Sequence, residues 1–280
     1  MVSSDKSSPS KGSSDRESLT RGRRKSLIQR GCSPAVIPRR AGQGGAFVSL
    51  IPPDAEHDLA TACFLSDTET MRYLKFMTRP SGYTVEDARA RREHRDRRQL
   101  DKELVNYVIA IRQSQVPAPL LRMVSAREFL PARQIPIDGG HMDMDEPYLV
   151  IGCCGLNAID LDNRCADAGI ILDARFWRTG ASTEALYLVL KFGFEMLGLH
   201  RIGMQTTQDN AGMRGWLEHV AGIRLECIRK EALYLGNDTY ADSWDYAMFA
   251  CDWYASVEKK LRARLEPYQD HAQRRDSFRL

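Results

Sequence analysis

The chain has 280 residues, of which 43% are hydrophobic, 8% aromatic and 28% charged. These ordinary globular values exclude a collagen-like repeat, a disulfide-stabilised mini-protein and a wholly disordered chain. The formal net charge of +3 is too small to indicate a nucleic-acid binder by itself. Since no window reaches the roughly 18 uninterrupted apolar residues of a membrane span, we expect a soluble protein without a membrane partner.

The basic charge is concentrated at the amino terminus, where residues 1–46 contain ten Lys/Arg and three Asp/Glu. Residues 1–45 are also rich in Ser, Arg and Gly, and they cannot bury enough surface to offset the entropy of ordering. We therefore predict a disordered tail over 1–45, one folded domain over 46–255, and a charged helix or tail over 256–280. Nuclear import or a nucleic-acid contact is an alternative role for the tail, but a solvated tail is the simpler interpretation.

The seven cysteines and six histidines show no metal-binding spacing, because no CxxC, HxxxH or HExxH is present. We therefore expect no metal site. The adjacent Cys153 and Cys154 lie in an apolar run, which is typical of small buried hydrophobes. No secretory signal precedes them, so we expect a reducing, cytoplasmic location, with nuclear or organellar targeting through the tail left open.

The first half of the folded region alternates between strands and helices. Predicted strands cover residues 47–51, 104–111 and 148–156, and predicted helices cover 54–65, 66–74 and 84–101. Ser66 and Glu69 have the spacing of a capping box, which predicts the second of these helices. The helix from Thr84 carries charges of both signs, which is typical of a solvated face, although an anion contact is an alternative.

Residues 113–147 contain several prolines, Gly139-Gly140 and no periodic pattern. Loops of this length are uncommon in compact domains and are usually functional or disordered. We expect this insertion, together with the helix from Thr84, to line the acceptor side of a site. A mobile insertion is an equally good interpretation.

The second half repeats the pattern of strand and helix. Predicted strands cover residues 168–172, 200–206, 224–235 and 240–253, and predicted helices cover 180–197 and 211–220. Gly198 and Gly222 follow the two helices as stop signals. The last two strands are predicted to form an antiparallel pair through residues 236–238.

Residues 174–185 form the segment with the clearest chemical signal. A strand ends, a short loop follows, and a long apolar helix starts with small residues on its first turn. Unpaired N–H groups and the positive dipole end at a helix start favour a phosphate. The Walker A lysine and the GxGxxG pattern are both absent, so a diphosphate held by the backbone alone suits a bound cofactor better than a hydrolysed nucleotide. From the loop alone, an ordinary tight turn is the simpler interpretation.

The blocks around this loop resemble the GCN5-related N-acetyltransferase (GNAT) superfamily, and most closely its RimJ/RimL-like branch. The matching blocks are residues 166–172, 176–185, 194–201, 209–210, 222–223 and 240–253. The resemblance covers residues 46–254 and implies an α/β (α+β) fold with a mixed, mostly antiparallel central sheet flanked by helices. It also implies an N-acetyltransferase that uses acetyl-CoA, or another acyl-CoA, as co-substrate.

The resemblance assigns cofactor contacts to ten residues. The pyrophosphate corresponds to Arg178, Thr179, Gly180, Ala181, Ser182 and Thr183, the pantetheine arm to the backbone of Ile170, Ile171 and Leu172, and a hydrogen bond to that arm to Asn210. This arrangement requires a gap between the strand of Asp167 and its neighbour. Ser182 and Thr179 depart from the usual residues of the loop, but both are compatible with donor binding.

Asp167 occupies the position where the family often carries a glutamate, and the resemblance implies a general base that acts through water or directly. A structural carboxylate is an equally weighted alternative. The usual proton donor, a tyrosine, is replaced by Leu217, so the thiolate is expected to take its proton from solvent, Tyr240 or Tyr234. Met213 also replaces a frequent serine.

Two acceptors are open within this function: a protein amino terminus, or a small-molecule amine such as an antibiotic or a polyamine, which is slightly favoured because the insertion could enclose a pocket. A catalytically weak or inactive GNAT-like module that binds CoA or a protein partner is the alternative function. A nucleic-acid protein that uses the tail ranks last. The sequence predicts no oligomeric state.

Overall fold

The computed structural model describes residues 37–266, which contain two sheets. The strands are β1 (Gln43–Gly44), β2 (Ser49–Ile51), β3 (Val105–Arg112), β4 (Arg133–Ile137), β5 (Gly140–Met144), β6 (Tyr148–Asp160), β7 (Cys165–Leu172), β8 (Arg201–Thr207), β9 (Leu225–Gly236) and β10 (Thr239–Phe249). Eight of them form the large sheet in the order β1-β2-β3-β6-β7-β8-β10-β9, and β4 pairs with β5.

The α-helices are α1 (Asp58–Ser66), α2 (Val85–Leu100), α3 (Ala118–Leu121), α4 (Ala181–Lys191), α5 (Ala211–Gly215) and α6, which starts at Ala250–Asp252. The last three helices continue through π-helical turns at Phe192–Met196, Trp216–Ala221 and Trp253–Val257. None of the helices formed by residues 37–266 combines the length and the apolar character needed to cross a bilayer.

All neighbouring strands of the large sheet are antiparallel except β7 and β8, which run parallel. The parallel pair needs a crossover, and α4 supplies it. The mixed, mostly antiparallel sheet flanked by helices is therefore confirmed. The fold places the start of α4 directly after the end of β7.

Helix α4 is buried along almost its whole length, as its apolar composition predicts. The buried residues run from Ala181 to Leu190 and leave out only Ser182. A helix that is apolar on every side has to be covered by other elements. This burial fixes α4 against the sheet, so its amino terminus has a defined position.

Helix α2 begins where the sequence predicts it. The Thr84 hydroxyl accepts a hydrogen bond from Asp87 N, and the Asp87 carboxylate accepts one from Thr84 N, which together form a capping box. The helix therefore has a firm first turn despite its highly charged composition.

The predicted helix over residues 66–74 is wrong, because residues 68–73 form turns instead. The Ser66 hydroxyl accepts a hydrogen bond from Tyr83 N at 2.7 Å and donates one to Tyr83 O at 3.2 Å. A hydroxyl that is used by another loop cannot cap a helix start. Tertiary contacts therefore override the local capping signal.

The insertion at 113–147 is folded and carries α3 and the β4–β5 hairpin. Ile135 and Met144 of this hairpin are buried in a cluster with Phe64 and Tyr148. The insertion therefore extends the core on this side of the sheet. The apolar residues that fix this placement show no periodic pattern along the chain, so the sequence did not predict it.

The ends of the described chain differ from the prediction in two ways. Residues 37–45, assigned to the tail, include β1 and the buried Ile37. Strand β10 ends at Phe249 rather than at residue 253, and the helix that follows is continuous to residue 266. Residues 1–36 of the predicted tail and residues 267–280 lie outside the described residues.

Candidate active site

Strands β7 and β8 separate partway along their length. They are paired only where Cys165–Asp167 meet Arg201–Gly203, although β7 continues to Leu172 and β8 continues to Thr207. A cavity of about 1040 Å³ lies along the separated segments and is lined by residues of both. The gap that the resemblance requires is therefore present. Beyond Asp167, the backbone groups of β7 on that side have no partner strand among residues 37–266 and are available to an extended ligand.

The start of α4 borders the same cavity. Gly180 has φ +94°, a left-handed conformation that glycine adopts without steric cost, and it precedes the small residues Ala181 and Ser182. The first backbone hydrogen bond of the helix runs from Glu184 N to Gly180 O, so the N–H groups of Ser182 and Thr183 have no intrahelical acceptor. This end of the helix can therefore bind an anion.

Most of the predicted cofactor residues line the cavity. They are Ile170, Ile171, Leu172, Arg178, Gly180, Ser182, Thr183 and Asn210. Thr179 and Ala181 are not among the lining residues, because the Thr179 hydroxyl donates a hydrogen bond to Phe176 O at 2.7 Å and Ala181 is fully buried. These two residues shape the turn rather than its surface.

Thr183 and Trp216 join the two helices that flank the gap. The indole Nε1 of Trp216 donates a hydrogen bond to Thr183 Oγ1 at 3.1 Å, and both residues are buried. The Thr183 hydroxyl accepts this hydrogen bond, and the backbone N–H of Thr183 lies in the first turn of α4. The sequence gives no direct signal for Trp216.

Two polar residues lie on the β8 side of the gap. Asn210 caps α5, and its Oδ1 accepts a hydrogen bond from Met213 N at 3.1 Å. Thr207 Oγ1 is buried and has no hydrogen-bond partner among residues 37–266. Both residues line the cavity. Since buried polar groups normally have partners, the Thr207 hydroxyl fits a polar ligand in the gap.

Asp167 lies where β7 and β8 part. Its partners in register are Asn157 on β6 and Gly203 on β8. A Cβ atom added at Gly203 would lie 2.2 Å from Asp167 Oδ1, so the carboxylate occupies the space that glycine leaves open. Asp167 lines the cavity and forms no ion pair within the part of the chain that the structure describes.

The structure does not bring Tyr240 to this cavity. It lies near the turn between β9 and β10, is 52% exposed, and packs its ring against Tyr234 with centroids 5.3 Å apart. Leu217, at the position of the usual tyrosine, is fully buried. Among the described residues, Tyr73 is the tyrosine that lines the cavity, and its ring stacks on Trp177. The sequence did not indicate Tyr73 as a site residue, because the segment around it was predicted to be a helix.

Of the two segments expected on the acceptor side of the site, one lines the cavity and the other does not. Helix α2 contributes Arg91 and Arg95 to the cavity, whereas no residue of 113–147 is among its lining residues. Arg264 of the continued α6 also lines the cavity. No group of three His, Cys, Asp or Glu residues within 37–266 is arranged to hold a metal ion.

Comparison with known protein families identifies the same part of the chain that forms the cavity. Residues 48–221 match the family described as the acetyltransferase (GNAT) domain. YoaA of Bacillus subtilis (strain 168), named as an uncharacterized N-acetyltransferase, is 30% identical over 91 residues, which are 32% of this chain and 51% of YoaA. The chain therefore spans about half the length of this curated relative.

Solved structures share the fold at lower identity. RimJ of Mycobacterium smegmatis, in complex with CoA-disulfide, has a TM-score of 0.58 at 18% identity, covering 81% of this chain and 96% of RimJ. RimL, a ribosomal L7/L12 alpha-N-protein acetyltransferase in complex with coenzyme A, has a TM-score of 0.52 at 18% identity, covering 73% and 95%. Similarity at this level of identity supports a common fold.

Proposed function

The chain belongs to the GNAT acetyltransferase domain family, and on that premise we propose that it transfers an acetyl group from acetyl-CoA to an amine. The observation that carries this proposal is the gap between β7 and β8 beside the unpaired N–H groups of α4. An extended ligand with a phosphate group at one end fits these two features together. The named relatives RimJ and RimL bind CoA-disulfide and coenzyme A in the same fold.

The residues around the gap divide the binding of acetyl-CoA among them. The N–H groups of Ser182 and Thr183, with the Arg178 side chain, bind the diphosphate by charge and hydrogen bonding. The backbone of Ile170–Leu172 pairs with the pantetheine arm, and the free amide nitrogen of Asn210 donates to it. Thr179 and Ala181 hold the turn in shape. The thioester supplies an activated acetyl group.

Asp167 acts as the general base in this proposal. An amine must lose a proton before or during its attack, and Asp167 accepts it directly or through a water molecule. A backbone N–H of the unpaired part of β7 polarises the thioester carbonyl. The proton for the leaving thiolate comes from solvent or from Tyr73, which replaces Tyr240 in this role because Tyr73 lines the cavity.

The reaction takes an amine acceptor. A protein amino terminus is one candidate, because RimL is named as an alpha-N-protein acetyltransferase.

We place the protein in the cytoplasm, with the domain over 46–255. Because β1 and the buried Ile37 belong to the same fold and the helix across the 255/256 boundary is continuous, we extend that domain to residues 37–266.

The test uses the full chain, acetyl-CoA and pools of amines, with release of free thiol as the readout. We expect thiol release in at least one pool, and mass spectrometry then identifies the acetylated product. Gly180→Val serves as the matched negative control. Binding of acetyl-CoA without thiol release in any pool would favour the CoA-binding module, and absence of binding would contradict both functions.

A further inference from the structure

Helix α2 presents to the cavity two arginines that form no ion pair within residues 37–266. Arg91 and Arg95 are one helical turn apart, so their side chains lie on the same face of α2. We propose that the acceptor is a small amine that also carries a carboxylate or phosphate group, and that Arg95 and Arg91 bind this anion. The inference rests on the acetyl transfer proposed above and names the acceptor class for the same site.

Arg95 differs from three other arginines of its helix. Arg89, Arg92 and Arg98 each have a carboxylate within 4.0 Å, on Glu93, Asp58 and Glu103. Arg95 forms no ion pair within residues 37–266, and its hydrogen bond goes to the neutral amide oxygen Oδ1 of Asn157, 3.0 Å from Nη2. Its Nε is buried without a hydrogen-bond partner among the described residues. The guanidinium therefore has donors to spare inside the cavity.

The electrostatics of Arg95 favour an anion. Burial, followed by the positive charges of Arg91 and Arg98, lowers the pKa of Arg95 to about 10. The group is still protonated at neutral pH, so a cation stays buried next to other cations. An unpaired buried charge is costly, and a bound anion removes most of that cost. A guanidinium also matches carboxylate and phosphate oxygens in a fork geometry.

The position of Arg95 relative to Asp167 limits the size of the acceptor. Asn157, which Arg95 contacts, lies directly opposite Asp167 in the register of β6 and β7. Residues opposite each other in an antiparallel pair project to the same face, with Cβ atoms about 5 Å apart. The anion site and the proposed base are therefore one side chain apart. A single small molecule with an amine and an anionic group, such as an amino acid or an amino phosphate, spans both.

A polycation fits this arrangement poorly, because Arg91 and Arg95 would repel it. This argues against the polyamine that the sequence left open. The remaining carboxylate at this end, Glu69, is paired with Arg72 at 2.6 Å and adds little negative potential. The acceptor end of the cavity therefore selects for negative charge.

The experiment compares acceptors that differ only in charge, using the full chain, acetyl-CoA and thiol release. The pairs are α-amino acids against their carboxamides, and O-phosphoethanolamine against ethanolamine, with spermidine as a cationic acceptor. We expect the anionic member of a pair to have the higher kcat/KM, and the two pairs distinguish carboxylate from phosphate. Equal rates within both pairs, or a preference for spermidine, would overturn the inference while leaving acetyl transfer in place.

Substitutions test whether Arg95 and Arg91 cause the preference for an anionic acceptor. Arg95→Gln should reduce the ratio of kcat/KM for the anionic over the neutral acceptor by about 10- to 100-fold, the size of a lost charge-assisted hydrogen bond, at unchanged KM for acetyl-CoA. Arg91→Gln should give a smaller reduction. Arg97→Gln, on the exposed side of the same helix, is the matched control and should keep the ratio. An unchanged ratio in Arg95→Gln would contradict the assignment.

If no amine of the panel is acetylated, a binding measurement tests the anion site instead. With CoA saturating the phosphate-binding turn, inorganic phosphate should raise the Tm of the wild type and of Arg97→Gln but not that of Arg95→Gln. Equal stabilisation of all three would overturn the anion site. A preference for a dicarboxylic acyl-CoA over acetyl-CoA that Arg95→Gln removes would assign the site to the donor and would also contradict the proposal. Failure of CoA itself to bind would contradict the proposed function instead.

Discussion

Asp167 and Gly203 are the last residues at which β7 and β8 remain paired, and the carboxylate of Asp167 lies over the hydrogen atoms of Gly203. The same pair marks the point where the gap opens and the point where the proposed base lies. A change at either residue is therefore expected to affect chemistry more than donor binding.

Asp167→Asn should lower kcat by about 100-fold or more, the usual contribution of a general base, with little change in the KM for acetyl-CoA. The amide keeps the shape of the carboxylate but cannot accept the proton. Steady-state kinetics at neutral pH measure the effect. Asp162→Asn, at an exposed position in the β6–β7 turn, is the control and should behave as the wild type. Equal activity of Asp167→Asn would assign this residue a structural role.

Gly203→Ala should move the Asp167 carboxylate, because the new Cβ would lie 2.2 Å from Oδ1. The carboxylate is the end of a flexible side chain, so we expect it to shift without unfolding of the protein. We expect kcat to fall about tenfold. In an Asp167→Asn background the same substitution should have little further effect, since residues in contact couple in double-mutant cycles. Additive effects would show that Gly203 acts through something other than Asp167.

Gly180→Val should abolish acetyl-CoA binding. A β-branched residue is strained at φ +94° and also blocks the approach of a phosphate to the backbone of the turn. Calorimetric titration with CoA measures the loss. The control is Gly215→Val, because Gly215 has φ −60° and its Cβ would have no heavy atom within 4 Å. Unchanged affinity in Gly180→Val would remove the assignment of this turn.

Glu184→Ala should destabilise the fold rather than the chemistry. The buried carboxylate accepts hydrogen bonds from Ala46 N, Phe47 N and Val48 N at 2.7–2.8 Å and so ties the β1–β2 connection to α4. Its loss leaves the buried donor Val48 N without this acceptor, and we expect a cost of about 2–4 kcal/mol, which lowers the Tm by roughly 5–15 °C.

Thermal denaturation of Glu184→Ala is compared with that of Glu93→Ala. Glu93 is exposed on α2 and pairs only with Arg89, so its loss should cost about 0.5 kcal/mol or less. A Tm of Glu184→Ala within one degree of the wild type would show that the three hydrogen bonds are replaced by water.

The turn that precedes α4 could be predicted from the sequence because its features are local. Small residues at 180–182, an apolar helix after them and a strand before them are visible in a single stretch of chain. The structure confirms these elements and the left-handed Gly180. The stop signals at Gly198 and Gly222 are local in the same way. The pattern of blocks also predicted the mostly antiparallel sheet correctly.

The errors arise where distant residues compete for a group. The capping signal at Ser66 failed because Tyr83, 17 residues away, takes its hydroxyl. Tyr240, the predicted proton donor, does not reach the cavity, because the register of β9 and β10 places its ring against that of Tyr234. No local pattern contains either fact.

The sequence by itself determined the family, through blocks that resemble it, and the turn that borders the cavity, because the features of that turn lie in one stretch of chain. Only the tertiary structure decided which charges are left without a partner. Arg91, Arg92 and Arg95 look alike along the chain, yet Arg92 meets Asp58, 34 residues away, whereas Arg91 and Arg95 face the cavity. Charge compensation depends on distances across the fold, and these are fixed only when the helix packs on the sheet.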